Sequence, residues 1–129
     1  MLQLFFGRPL HFKMLAYFCA NQISPIVMRI SILLPIFNEE RYLVECLDSI
    51  LAQRHTDWEL LAIDDQSTDS TPQILQDYQQ RDARIRPFRN PQKGVIPALR
   101  LALEHSTGAL MTRMDADDIM APAKLELMY

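Results

Sequence analysis

"ISILLPIFNEERYLVECLDSILAQ", residues 30–53, decides the fold. Its opening, "ISILLP", is an apolar run of buried-strand length. Pro35 is predicted to end that strand, because proline has no amide hydrogen to give a central ladder. The continuation "EERYLVECLDSILAQ" brings Tyr42, Leu43, Cys46, Leu47, Ile50 and Leu51 onto one face at helical spacing. A buried strand followed at once by an amphipathic helix is the start of a layered α/β unit.

The alternation continues down the chain. "WELLAID" (58–64) reads as a second strand, and "STPQILQDYQQR" (70–81) as a second helix with Thr71 as N-cap and Pro72 in the first helical position. "IRPFR" (85–89) is a short strand weakened by Pro87. "VIPALRLALEHSTG" (95–108) predicts a third helix with Ile96, Leu99, Ala102 and Leu103 inward, Pro97 in its first turn and Gly108 closing it. "ALMTRM" (109–114) is the fourth strand, and "PAKLELMY" (122–129) begins a further helix. This order predicts right-handed crossovers and a mostly parallel sheet, with any ligand outside the carboxyl ends of the strands.

Composition sets outer bounds. A chain of 129 residues, 49% apolar and 22% charged, has the makeup of one globular domain, and a net charge of −3 with scattered Lys and Arg does not predict a nucleic-acid surface. Cys19 and Cys46 are isolated thiols without metal spacing, which suits a reducing cytoplasm. The ordered pattern starts at Met28. Residues 1–27 therefore read as an extension outside the fold, too often interrupted by polar residues to span a membrane and without a clean signal-peptide cleavage site. The competing reading of that segment is peripheral association with a membrane, which would put the domain at the inner face.

Two of the strand-end loops are acidic. "DDQSTDST" follows the second strand, and "DADD" the fourth. Asp64 and Asp65 can face the same cleft as Asp115 and Asp117. Taken alone, each cluster is explained by turn chemistry or a solvated loop. Together, such close carboxylates repel one another unless water or a cation intervenes. In an extended segment Asp115 and Asp117 point the same way while Ala116 points opposite, so the pair can present oxygens to Mn²⁺ or Mg²⁺.

These stretches, with "NPQKG" and "RMDADDIMAPAKLE", resemble the nucleotide-binding half of the family 2 glycosyltransferases, from about Met28 to Tyr129. The resemblance implies the GT-A fold, a Rossmann-like α/β/α sandwich, here C-terminally truncated within 28–129. It implies inverting, metal-dependent transfer of a sugar from a nucleotide-diphosphate sugar, most simply a UDP-sugar. Pro35 and Glu39 match the loop that meets the nucleotide. Asp65 matches the acid at the base, Asp115 the first Asp of the DXD motif near the ribose, and Asp117 the one that ligates the metal. Arg113 fits the family's "RMDADD" form. The implied acceptor is a polysaccharide of the cell envelope, a lipid or a protein glycan. The general base is expected beyond Tyr129, leaving this chain the donor-binding half.

Other residues carry plainer readings. Where the family often has Asn and Gly on the third helix, this chain has Arg100 and Ala102, and Arg100 reads as a surface residue. Lys93 and Gly94 precede a helix N-terminus that can hold an anion of the donor. Arg86 and Arg89 read as solvated strand-end residues. His11, His55 and His105 read as structural or exposed, and Trp58 as packing at the start of its strand. A phospho-receiver module would place paired acids after the first strand, where this chain has "PIFNEE". A nucleotidyltransferase would show a glycine-rich basic loop there, whereas the only glycines are Gly7, Gly94 and Gly108.

Overall fold

The structure, a computed structural model, describes residues 28–128. The expectation for residues 1–27 falls outside that range. The elements are β1 (Ile30–Ile36), α1 (Leu43–Leu51), β2 (Trp58–Asp64), α2 (Thr71–Arg81), β3 (Ile85–Arg89), α3 (Val95–His105) and β4 (Leu110–Arg113). They end in a 3₁₀ turn at Leu125–Met128, where the sequence suggested an α-helix. The four strands lie in the order β3-β2-β1-β4, and every pairing is parallel.

Strand alternation divides the core into two layers. Ile30, Ile32, Leu34 and Ile36 of β1 join Leu60 and Ala62 of β2 beneath α1 and α2, against Leu43, Cys46, Leu47, Ile50, Leu75 and Tyr78. Leu33, Leu61 and Ile63 face the other way, onto Ala98 and Ala102 of α3. Burying side chains of this size contributes roughly 1.5–3 kcal/mol apiece, so β1 and β2, both covered on both faces, are the energetic centre of the sheet.

The helices differ from expectation at their ends. Ser70, not Thr71, occupies the N-cap position of α2, and Tyr42 is exposed just before α1. The inward face of α3 is narrower than its sequence suggests. Ala98 and Ala102 are buried and let the helix close on the sheet, while Ile96 and Leu103 are 64% and 48% exposed. Gly108 does not cap α3, which gives way at Ser106. It lies where a Cβ would come within 2.7 Å of the Arg29 carbonyl and 2.6 Å of Ser31 Oγ, so only glycine lets this loop approach β1. Pro87 is tolerated because β3 is an edge strand.

That close approach completes a buried polar knot at the amino ends of the strands. Glu59 Oε1 accepts from Ser31 Oγ (2.7 Å), Thr107 N (2.5 Å) and Thr107 Oγ1 (3.0 Å), and Oε2 accepts from Arg86 Nη1 (2.8 Å). Ser31 Oγ in turn accepts from Gly108 N at 2.9 Å. Arg86 also donates to the His105 carbonyl, so it is a structural partner rather than the solvated strand-end residue its sequence suggested. Burial alone would raise the Glu59 carboxyl, but the hydrogen bonds from Ser31, Thr107 and Arg86 bring it from 4.5 down to about 2.

A depressed carboxyl contributes stability above its unfolded pKa and loses it as pH falls through the folded value. Glu59→Gln is therefore expected to cost about 2 kcal/mol at neutral pH, the scale of hydrogen bonds to a charged group. The difference from wild type should shrink between pH 4.5 and about 2. Urea melts across that range check it, and a pH-independent difference would show that the charge contributes nothing.

Candidate active site

The strand order creates the site. From β1 the chain builds outward through β2 and β3, then crosses back to place β4 on the other side of β1, so the loops after β1 and β4 diverge. The β1–β4 register ends at Leu33↔Arg113, with one further bond from Met114 N to Leu33 O (3.0 Å). By the alternation of a parallel ladder, the next donor on this side is residue 35, and Pro35 has none to give. β1 does continue to Ile36, but only along β2. Pro35 thus ends one ladder rather than the strand, and a gap opens beside it.

That gap is a cleft of about 340 Å³ lined by Pro35, Ile36, Phe37, Glu39, Asp65, Val95, Arg113, Asp115, Ala116 and Asp117. Pro35, Glu39, Asp65, Asp115 and Asp117, all singled out in the sequence, meet there. Asp64 does not. It is buried, its Oδ1 accepts from Ser67 N (3.0 Å), and it lines a separate shallow pocket with Phe88 and Arg89.

Beside the cleft, the loops after β1 and β2 are laced together. Asn38, held at φ +49°, takes Thr68 N on its Oδ1 (2.8 Å) and gives its own amide to Ser67 Oγ (2.9 Å). Glu39 N donates to Thr71 Oγ1, Glu40 N to Asp69 Oδ2, and Ser70 N to Glu40 Oε2. The Ser, Thr and Asp residues after β2 are therefore fasteners between two loops.

Asp65 has a second task. Its Oδ1 accepts from Asn90 Nδ2 (2.9 Å) and Gly94 N (3.0 Å), and its Oδ2 from Gly94 N (3.1 Å). Gly94, at φ +130°, is the N-cap of α3. The Gly94 amide that the sequence offered to a donor anion is thus already engaged by this carboxylate. Lys93 does not line the cleft but sits at its rim, with Nζ 4.1 Å from the centroid of the half-exposed Phe37 ring. Phe37 and Val95 are cleft residues that sequence reasoning missed. Phe37 lies where the strand's alternation ends, and nothing in its local pattern separates it from a core residue.

Asp115 to Asp118 form a turn, closed by Asp118 N to Asp115 O (3.0 Å), rather than the extended segment expected. The expected alternation does not hold, because the buried Ala116 lines the cleft between Asp115 and Asp117 rather than facing away from it, while Met114 is buried and Asp118 lies outside the cleft. Arg113 Nη2 pairs with Asp115 Oδ1 at 3.2 Å. Glu39 is pushed up first by burial and then by the charges of Asp117 and Asp69, which registers an excess of negative charge here.

Among the described residues no three His, Cys, Asp or Glu side chains are grouped as a metal site. Two aspartates in an acidic cleft suit a hard cation that completes its shell with water and phosphate oxygens, and do not suit zinc. Arg100 is exposed and lies outside the cleft. His105 stacks on Phe88, and the buried His55 ring contacts the carbonyls of Met28 and Asp57. Trp58 is buried at the start of β2 under the Arg84 guanidinium.

Known proteins resemble this chain in sequence and fold. The chain is 34% identical over 101 residues to the glycosyltransferase GlyG of Streptococcus pneumoniae, covering 78% of this chain and 34% of GlyG. The 1–349 fragment of S. aureus TarS in complex with UDP superposes with a TM-score of 0.71 at 27% identity, over 77% of this chain and 30% of that fragment. The mannosyltransferase PcManGT of Pyrobaculum calidifontis, in complex with GDP-Man and Mn²⁺, gives 0.69 at 26% identity, over 94% of this chain and 39% of that one. The chain thus spans about a third of GlyG, of that TarS fragment and of PcManGT. Its three-layered parallel architecture is that of the GT-A fold. The family model for glycosyl transferase family 2 matches residues 31–129, from the first buried strand through the acidic turn, and the chain belongs to that family of glycosyltransferases.

Proposed function

We propose that the cleft between β1 and β4 binds the nucleotide diphosphate of a sugar donor, most simply UDP, through a divalent cation, and that this part of the chain serves the donor side of an inverting transfer. The observation that carries the reading is the meeting of Pro35, Glu39, Asp65, Asp115 and Asp117 in one cleft. Relatives captured with UDP, with UDP-GlcNAc, and with GDP-Man and Mn²⁺ support it.

Each residue has a role that its geometry allows. Asp117 would hold Mn²⁺ or Mg²⁺, and Asp115, steadied by Arg113, would face the ribose. When bound, the cation neutralises the diphosphate and stabilises it as a leaving group. Asp65 and Phe37 line the same cleft, one offering a carboxylate edge to a base and the other a flat ring for stacking. Lys93, beside that ring, adds positive charge at the rim. Glu39 closes the acidic side next to Asp117.

The lining carboxylates are therefore committed to donor and metal, so the base that deprotonates the acceptor belongs outside this cleft. The acceptor, a polysaccharide, a lipid or a protein glycan, would likewise be bound outside this cleft. The cytoplasmic setting and any peripheral association with the inner membrane face are parts of the same proposal. Among the described residues no helix is long and apolar enough to cross a membrane.

Two measurements test the reading. UDP titrated by calorimetry should bind with Mn²⁺ present and lose at least about tenfold in affinity, some 1.4 kcal/mol, in EDTA. Equal affinity in both would remove the metal from the site. Asp117→Asn should reproduce the loss in the presence of Mn²⁺ without unfolding the chain. Asp118→Asn should leave binding near wild type because its side chain lies outside the cleft, and identical behaviour of the two variants would overturn the assignment within "DADD".

A further inference from the structure

The acidic turn belongs to no helix or strand, so its aim must be set by what lies beneath it. Beneath it runs a polar row on α1 and its end. Cys46 Sγ lies 3.8 Å from the Asp115 carbonyl. Ser49 Oγ donates to the Cys46 carbonyl (2.7 Å) and accepts from Met120 N (2.9 Å). Gln53 Nε2 donates to the Ala121 carbonyl (2.7 Å) and the Ser49 carbonyl (3.3 Å), and its Oε1 accepts from Leu125 N (3.2 Å). The Gln53 side chain is spent entirely on backbone and is only 6% exposed.

We infer that Ser49 and Gln53 are positioning residues for the metal and diphosphate, an inference that rests on the function proposed above. Positions 46, 49 and 53 follow one another on a single helical face, and their bonds fall on Asp115, Met120, Ala121 and Leu125 in the same direction along the chain. They lash the segment after β4 to α1, the helix that also carries the loop of Glu39 at its start. Only the turn from Asp115 to Asp118 is left between these moorings, with Met114, Ala116 and Met120 buried to either side and within it. The separation between the two acidic elements of the cleft is therefore set through α1. A cation held between an aspartate and a phosphate depends on that spacing more than the rest of the nucleotide does.

A purely structural role would lower stability without changing how much the metal helps the nucleotide to bind. The test uses the full chain, with Mn²⁺ and UDP as probes and amide hydrogen exchange as a second readout. Ser49→Ala and Gln53→Leu should weaken UDP binding in Mn²⁺ by about tenfold, equivalent to some 1.4 kcal/mol, while binding in EDTA stays within about twofold. Exchange at Asp118 and Met120 should accelerate relative to the amides of β1 and β2. Ser49→Thr, which keeps the hydroxyl, should restore both. If Gln53→Leu does not fold, Ser49→Ala decides alone. An unchanged ratio between Mn²⁺ and EDTA affinities in the variants, with a wild type that does respond to Mn²⁺, overturns the inference. A wild type indifferent to Mn²⁺ overturns the proposed function itself, and the inference with it.

Discussion

A missing hydrogen organises this molecule. Pro35 stands in an interior strand of a parallel sheet, at the position from which β1 would next donate toward β4. On the β2 side the strand runs on in register as far as Ile36↔Asp64. On the β4 side the ladder stops at Arg113 and Met114, and the two backbones part. A residue with an amide at 35 would favour continued pairing and draw the acidic turn toward the sheet. The cleft exists because one ladder ends before the other, at the point where the strand order also reverses.

Everything else at this edge keeps the opening in shape. Asn38, Ser67, Thr68, Asp69 and Thr71 fasten the loop after β1 to the loop after β2. Asp65 fastens the N-terminus of α3. Ser49 and Gln53 fasten the segment after β4. At the opposite edge, Gly108 and the Glu59 knot draw the amino ends of the strands together. Such over-determination is what allows several carboxylates to face one another across a cleft without the loops relaxing apart.

Much of this was legible in the sequence, and the parts that were not share a cause. Among the described residues, the alternation of buried runs and amphipathic stretches located the four strands and the three α-helices, because period and turn chemistry are local properties. The acidic residues of the cleft were also legible, since carboxylates crowded at strand ends are anomalous unless something binds there. What escaped depends on partners distant in sequence. The fully buried positions of α3 are Ala98 and Ala102, with Leu99 and Leu101 only partly buried beside them, because the sheet admits the helix that closely. Asp64 and Asp65 are adjacent and alike, yet the pleat sends one into a turn and the other into the cleft. Arg86 read as solvated because Glu59, its partner, is 27 residues away. Phe37, Ser49 and Gln53 gave no local sign of their places.

In the function proposed above, a divalent cation and a nucleotide diphosphate meet between β1 and β4, held on Asp117 and bounded by the loop of Glu39. Paramagnetic broadening locates such an ion directly. In ¹⁵N-resolved spectra of the chain with UDP and substoichiometric Mn²⁺, amides 37–40, 65 and 114–118 should broaden first, while those of Glu59 and Thr107 at the other sheet edge persist. Broadening centred on any other surface, or none beyond that of free Mn²⁺, would contradict the proposal.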